Sequence, residues 1–272
     1  MNMKRKMAML LAVLMIFAVA AGCAKKGDDE FRVGMECGYA PFNWTQTDDS
    51  NGAVKLEDGS YAAGYDVEIA KRIAEGLGKK LVIVKTVWEG LEPAVNSGEI
   101  DAIIAGMSPT ADREERIDFT APYYRSELVI VVKAGSQYAD AKSIADFAGA
   151  KITAQQGTVH FDVIDQMEGV EKLDAMEDFS AMRVALESGI IDGYVSEKPE
   201  AVSAKAANSS FDFVEFEEGS GFNVSDEDVA VSVGLKNDSP ELVKKINEIL
   251  ASISEEDREK LMNNAIATQV EG

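Results

Sequence analysis

The sequence predicts an α/β protein made of two similarly wound halves, and three observations predict it. From Phe31 onward, strand-like apolar runs alternate with segments of helical period, as in sheets whose strands are joined through helices. The stretch "LEPAVNSGEIDAIIAG" is echoed by "MRVALESGIIDGYVSE". Each is a helical segment, then Ser-Gly, one residue, Ile-Asp and an apolar strand, with Asp101 and Asp192 91 positions apart, a repeat that suggests duplicated units. The echoed strands end at Gly106 in one half and Glu197 in the other, and ligands of such sheets gather beyond the carboxyl ends of the strands. A cleft between two halves is therefore expected.

The elements follow in order. "MNMKRK" is a basic head, and "AMLLAVLMIFAVAAG" is an apolar run of 15 residues, shorter than the roughly 18 to 20 a spanning helix needs. Together they read as an export signal over residues 1–22. Cys23 follows at once, and Ala20-Ala21-Gly22-Cys23 resembles the bacterial lipoprotein box, in which the cysteine is lipidated (palmitate among the acyl chains) and becomes the first residue. Ala20 departs from the more usual Leu; an ordinary signal peptide with an incidental cysteine is the alternative. Residues 23–30 are short and polar and suit a lipid-anchored tether.

"FRVGME" is a short strand. "GYDVEIAKRIAEGLG" places Val67, Ile69, Ala70, Ile73, Ala74 and Leu77 on one helical face and ends at Gly78, a residue type that suits a helix stop. "KKLVIVKTV" reads as a strand, "LEPAVNSG" as a short helix and "IDAIIAGM" as a buried strand. Then come the strands "ELVIVVK" and "KITAQQ" around "SIADFAGA", a helix from about Val159, the helix "AMRVALESG" and the strand "IIDGYVSE". Ser239-Pro240 starts a helix with a cap and a first-turn proline, its apolar face being Leu242, Ile246, Ile249, Leu250 and Ile253. Ser254 with Asp257 opens a last helix in a capping-box-like pattern.

Composition narrows the functions. Lys and Arg number 27 against 48 Asp and Glu, a net charge of −21, which argues against nucleic acid as a partner because nothing would neutralise phosphates. With Cys23 acylated, Cys37 has no partner for a disulfide and reads as a small buried hydrophobe. One histidine, His160, gives no metal cluster. No phosphate loop, Gly-x-Ser-x-Gly or other catalytic constellation is present, so no cofactor and no enzyme activity are expected, while the abundance of carboxylates leaves acid/base chemistry open on composition alone. What stands out is chemistry for a zwitterion. Arg113, in "AGMSPTADREER", can grip a carboxylate through its planar fork. Backbone N–H groups after Gly106 and at Gly157-Thr158 can donate to the same carboxylate, and Glu197 can accept from an ammonium. Asp101 and Asp192, each before a buried strand, read as structural.

The stretches "YAPFNW", "GYDVEIAKRIAEGLG", "VWEGLEPAVNSGEIDAIIAGMSPTADREERIDFTAPYY", "QQGT" and "DGYVSEKP" resemble, in order and over nearly the whole mature chain, the extracellular solute-binding proteins of family 3, polar amino acid receptors that serve ABC importers. The resemblance implies a type II fold of two lobes joined by two crossovers, with the ligand in the cleft: residues 31–125 and 229–272 in lobe 1, and 126–228 in lobe 2. By similarity to the histidine- and lysine/arginine/ornithine-binding members, Arg113 would hold the α-carboxylate with the N–H groups of Ser108 and Thr158. The Gly106 carbonyl, the Ser108 hydroxyl and Glu197 would take the α-ammonium. Family members more often carry Asp before the Lys-Pro, so Glu197 is one methylene longer. Tyr39 and Trp88 would flank the ligand side chain, Glu36 would meet a cationic group on it, and Gln155, Val159 and His160 would form the second lobe's rim. The resemblance thus implies a monomeric, lipid-anchored receptor on the outer face of the cell membrane that hands a free L-amino acid, with Lys, Arg, ornithine or His favoured, to an ABC permease. The alternatives are a receptor for a neutral polar amino acid such as glutamine, and an enzyme on the same fold resembling cyclohexadienyl dehydratase.

Overall fold

The computed structural model describes residues 29–269. The export signal, Cys23 and the tether up to residue 28 lie outside the described residues. Two five-stranded sheets organise the fold. The first runs in the order Lys80–Lys85, Glu30–Met35, Ala102–Ile103, Gly234–Lys236, Ile117–Phe119. The second runs Glu171–Lys172, Lys151–Thr153, Gly193–Glu197, Leu128–Lys133, Phe211–Val214. The strands joined through helices pair in parallel, Val33 with Ala102 in one sheet and Ile152 with Gly193 in the other. Both sheets are nonetheless mixed, because Gly234–Lys236 returns late in the chain antiparallel to its neighbours and Leu128–Lys133 does the same between its two.

The sequence echo has a structural counterpart. The helices Leu91–Ser97 and Phe179–Ser188 end on Gly98 and Gly189, at φ 79° and 78°, a left-handed stop that costs glycine little. The aspartates that follow clamp the neighbouring strand in the same way. Asp101 donates its N–H to the Arg32 carbonyl (2.8 Å) and accepts the Arg32 N–H on Oδ2 (2.9 Å). Asp192 does so with Lys151, both at 2.8 Å.

Strand Leu128–Lys133 divides the interior. Leu128, Ile130 and Val132 pack with Phe147, Ile152 and Ile164 on one face of the second sheet. Val129 and Val131 point into a cluster that reaches Val33 and Ile103 of the first sheet. An aromatic contact adds to this: Tyr39, in the short strand Gly38–Tyr39, stacks on Phe179 of the helix Phe179–Ser188 with centroids 4.3 Å apart.

The helix Tyr65–Gly76 buries Val67, Ile69, Ala70, Ile73 and Ala74, the face its period predicts. The helix from Val159 is only one turn, Val159–Asp162, before the chain tightens over Val163–Gln166. Ser239 caps Pro240–Ala251 in place but not through its hydroxyl; its N–H instead donates to Asp118 Oδ2 at 2.7 Å. Ser254 accepts the Asp257 N–H at 3.1 Å and donates to that carboxylate at 2.7 Å. A four-stranded meander over residues 38–63, in the order Gly38–Tyr39, Asn43–Gln46, Tyr61–Ala63, Val54–Lys55, is an addition the periodicity does not announce. The chain passes between the sheets twice, and the two passages pair with each other: Tyr124–Arg125 lies antiparallel to Ala230–Val231.

Candidate functional site

The ends of two strands build the site. After Ala102–Ile103 the chain turns at Gly106, φ 64°, where a Cβ would lie 2.6 Å from the Tyr39 ring. Glycine is required there twice over, by the left-handed backbone and by the close approach. Thr110 then caps the single turn Ala111–Glu114. Within that acidic turn Asp112 and Glu114 are exposed but Arg113 is only 6 % exposed. Its Nη1 donates to the Ser108 carbonyl and its Nη2 to the Gly157 carbonyl, both at 2.9 Å. Its Nε lies 3.8 Å from Glu92, and the guanidinium sits 5.1 Å from the Trp88 ring centroid. Four surroundings hold one planar cation in one orientation.

The second lobe repeats the construction. Strand Lys151–Thr153 leads through Gln155 to Gly157, φ 66°, and Thr158 stands before the turn Val159–Asp162, which carries His160. Glu197 ends strand Gly193–Glu197 and is 1 % exposed.

These turns enclose a cavity of about 20 Å³, room for the centre of about one water. Tyr39, Trp88, Gly106, Ser108 and Arg113 line it from the first lobe, and Gln155, Thr158 and His160 from the second. Val159 and Phe179 complete the wall. Phe179 carries no sequence signal, since an aromatic after the cap residue Asp178 reads as helix core. A groove of about 750 Å³ flanks the cavity on the Arg113 and Glu92 side, and another of about 840 Å³ on the side of Glu36, Trp88 and Lys85.

Glu36 and Glu197 lie just behind the wall. The Gln155 amide donates to Glu36 at 3.1 and 3.4 Å and to the Glu177 carbonyl at 3.0 Å. Gln155 therefore stands between Glu36 and the cavity. Burial pushes the Glu36 carboxyl up to about 7, against the Gln155 bond that lowers it and with Asp178 and Asp66 raising it further. Glu197 Oε1 is 3.7 Å from His160 Nε2, while Glu197 Oε2, His160 Nδ1 and the Tyr39 hydroxyl are buried with no partner. Burial first, and Glu197 next, push the Tyr39 hydroxyl well above its ordinary value. One side of the site is thus an anchored cation, and another is the buried Glu197 carboxyl with His160 beside it. Among the described residues no group of His, Cys, Asp and Glu is placed to hold a metal ion.

This geometry coincides with a family pattern. The description "Bacterial extracellular solute-binding proteins, family 3" matches residues 31–265. The chain belongs to this family. Curated relatives of this solute-binding protein include a probable histidine-binding protein of Campylobacter jejuni, 30 % identical over 63 % of the chain and 65 % of the relative. Its match to that relative therefore spans less than two thirds of the relative's length. The L-cystine-binding protein TcyA of Bacillus subtilis is 26 % identical over 91 % of the chain and 92 % of the relative. Among solved structures, an amino acid ABC transporter substrate-binding protein from Streptococcus pneumoniae bound to L-arginine superposes with a TM-score of 0.75 at 25 % identity, covering 88 % of this chain and 95 % of that one. An ancestral arginine-binding protein bound to arginine gives 0.70 at 29 % identity, over 87 % and 97 %. The solute-binding protein has the two-lobed type II fold of these neighbours.

Proposed function

We propose that this solute-binding protein captures a free L-amino acid with a cationic side chain (Lys, Arg, ornithine or His) outside the cytoplasm and delivers it to an ABC permease, without catalysing a reaction. The observation that carries the reading is Arg113, a buried and oriented guanidinium that lines the same cavity as His160, which has Glu197 3.7 Å away. An α-carboxylate would replace the neutral Gly157 carbonyl on Nη2 by a charged acceptor, a stronger bond. The Ser108 hydroxyl donates its one proton to the Asp228 carbonyl at 2.9 Å, so toward the cavity it can only accept, as an ammonium requires. The relatives that bind arginine and histidine support the cationic choice.

The cavity is too small for an amino acid, so capture requires the lobes to part and close again around the ligand. We place the lobes at 31–125 with 229–272 and at 126–228, with both boundaries at the Tyr124–Arg125/Ala230–Val231 ribbon. The test is titration of the purified protein with the twenty amino acids, ornithine and cystine, followed by intrinsic fluorescence, because Trp88 lines the cavity. Saturable change with one or a few cationic amino acids is expected. No response to any of them, or turnover of a prephenate-like acid, overturns the reading.

The Glu36 carboxyl supplies a second test. With its value at about 7, a cationic ligand must bind the ionised form, so affinity rises with pH by up to tenfold per unit below about 7 and levels off above it. Glu36→Gln should flatten that slope to the part contributed by the buried Asp66 carboxyl, itself pushed up to about 7, and weaken cationic ligands about tenfold at pH 8. Since the value is raised from 4.5, the protein without ligand binds that proton more tightly when folded, and ionisation between pH 4.5 and about 7 lowers stability; Glu36→Gln relieves this above pH 7. Half-protonated Glu36 also favours a second reading, in which it donates to a neutral amide such as that of glutamine. A glutamine preference with no rise in affinity toward pH 8 would establish that reading instead.

Cys23 is proposed as the lipid anchor and the protein as a monomer on the outer face of the cell membrane. One acyl chain is marginal for anchoring, so multiple chains are required. Cys23→Ser should release the protein in cell fractionation while leaving its amino acid affinity unchanged, because the polar stretch after Cys23 suits a tether and the candidate binding residues begin only at Glu36. Wild-type protein found wholly soluble with an unmodified Cys23 overturns the anchor.

A further inference from the structure

Two of the turns that present the first-lobe half of the site, one carrying Glu36 to Tyr39 and the other Gly106, are each linked through one side chain to the same buried carboxylate. We infer that Asp66 is a positioning residue for ligand capture, fixing those two turns in one register. The inference rests on the amino acid reading above and concerns a residue that does not line the cavity.

Asp66 is 0 % exposed in the first turn of the helix Tyr65–Gly76, and its N–H donates to the Phe42 carbonyl at 2.8 Å. Its Oδ1 accepts the Tyr123 hydroxyl at 2.7 Å, and the Tyr123 oxygen accepts the Gly106 N–H at 3.4 Å. Its Oδ2 accepts the Asn43 amide at 2.8 Å, and Asn43 Oδ1 accepts the Cys37 N–H at 2.8 Å. Cys37 stands at φ 56°, a left-handed backbone that costs a residue with a Cβ free energy and persists where surrounding bonds hold it. That conformation turns the chain between Glu36 and Tyr39.

The proton directions make the assignment specific. Cys37 N–H donates to Asn43, Asn43 to Asp66, Gly106 N–H to Tyr123, and Tyr123 to Asp66. Every donation in both arms runs toward the same side chain. Only an ionised carboxylate accepts from both arms, because an amide presents one oxygen and one NH₂ group. Replacing Asp66 by Asn therefore sets a donor against a donor. If the new amide keeps the Tyr123 hydroxyl, its NH₂ faces the NH₂ of Asn43. If Asn43 then flips, its NH₂ faces the Cys37 N–H. Either way the chain of bonds from the Glu36–Tyr39 turn to residue 66 is cut, while the pairing of Gly38–Tyr39 with its neighbouring strand and the packing volume are kept.

Three variants, Asp66→Asn, Asn43→Asp/Asp66→Asn and Tyr123→Phe, test this. Each is titrated with the tightest amino acid of the panel at pH 8, where Asp66 is ionised although burial pushes it up to about 7. Titration is done at a temperature where all the variants are folded by circular dichroism. Asp66→Asn should lose about tenfold in affinity. The double variant restores every proton direction. Its new carboxylate accepts from the Cys37 N–H and from the NH₂ of the new amide, whose oxygen accepts the Tyr123 hydroxyl. Its affinity should return to within about threefold of wild type. Tyr123→Phe removes the hydroxyl that links Gly106 to Asp66, leaves the Asn43 arm intact and should lose about threefold. It also decides the matter if Asp66→Asn does not fold, since wild-type affinity in Tyr123→Phe then overturns the proposal. A merely structural Asp66 would lower the melting temperature and leave the folded protein's affinity unchanged, and that result overturns it too. Amide hydrogen exchange separates this from failure of the amino acid reading. If wild type binds nothing on the panel, faster exchange at both Cys37 and Gly106 in Asp66→Asn, restored in the double variant, still supports the shared register, and unchanged exchange refutes it.

Discussion

Arg113→Ala is expected to weaken amino acid binding by at least about 2 kcal/mol, roughly 30-fold or more, in a protein that still folds. A buried carboxylate deprived of its charged partner loses the attraction and keeps the desolvation penalty. The variant also loses the bonds from Arg113 to Ser108 and Gly157, and only the Gly157 bond joins the two lobes, so the closed state is weakened along with the ligand contact. Arg113→Lys keeps the charge but not the fork: a lysine cannot hold the Ser108 carbonyl, lie flat over Trp88 and offer two parallel donors at once. Its affinity should stay nearer to Ala than to wild type. Isothermal titration of the three proteins checks this, and wild-type affinity in the Ala variant would return Arg113 to a purely structural role.

Gly64→Ala is expected to cost about 3 kcal/mol of folding stability or more, with the midpoint of urea unfolding as the measure. Gly64 precedes the helix Tyr65–Gly76 at φ 127° and ψ 178°, a region essentially closed to other residues. A Cβ there would lie 2.3 Å from the Phe42 carbonyl oxygen, 2.8 Å from its carbon and 2.9 Å from Asn43 Cα. All three are backbone atoms, tied down because Tyr65 and Asp66 donate to the Pro41 and Phe42 carbonyls at 3.0 and 2.8 Å. Strain from the dihedral and strain from overpacking therefore add. Gly59 is the control: φ is 89° but a Cβ meets nothing within 4 Å, so Gly59→Ala should cost only the backbone part, about 1 kcal/mol. Equal losses at the two positions would refute the clash.

Helices were legible in the sequence where a buried face repeats. Val67, Ile69, Ala70, Ile73 and Ala74 declare theirs, as do Ile246 and Leu250. Strands were legible where the run is long and apolar, as at Leu128–Lys133. The meander over residues 38–63 was not, because its strands are two to four residues long, too short for alternation to register. Asp101 and Asp192 were readable as structural from their shared place before echoed strands. The turn holding Arg113 could be read from small residues followed by a cap, yet nothing local shows that Arg113 folds inward while Arg116 pairs with Glu92 and Asp112 outside. The interposition of Gln155 before Glu36 depends on residues 119 apart in the chain, and so does not appear in any local pattern. Asp66 was invisible for the same reason: its partners Asn43 and Tyr123 are 23 and 57 residues away.

The ribbon formed by Tyr124–Arg125 and Ala230–Val231 has a mechanical consequence. Two independent connectors would let one lobe slide, roll and swing against the other. Laced together at Arg125 with Ala230 and Tyr124 with Val231, and continued by Tyr123 N–H to Val231 O at 2.8 Å and Ser126 N–H to Val229 O at 3.0 Å, they form one ribbon, which resists sliding and rolling more than two separate connectors would. Arg113 and Trp88 to Gly157, Gln156 to Glu89, Gln155 to Glu36 and Tyr39 on Phe179 are among the contacts that span the lobes, and rotation about the ribbon would release them together. A ligand that favours the closed arrangement through any one of these contacts would thereby favour the others without touching them.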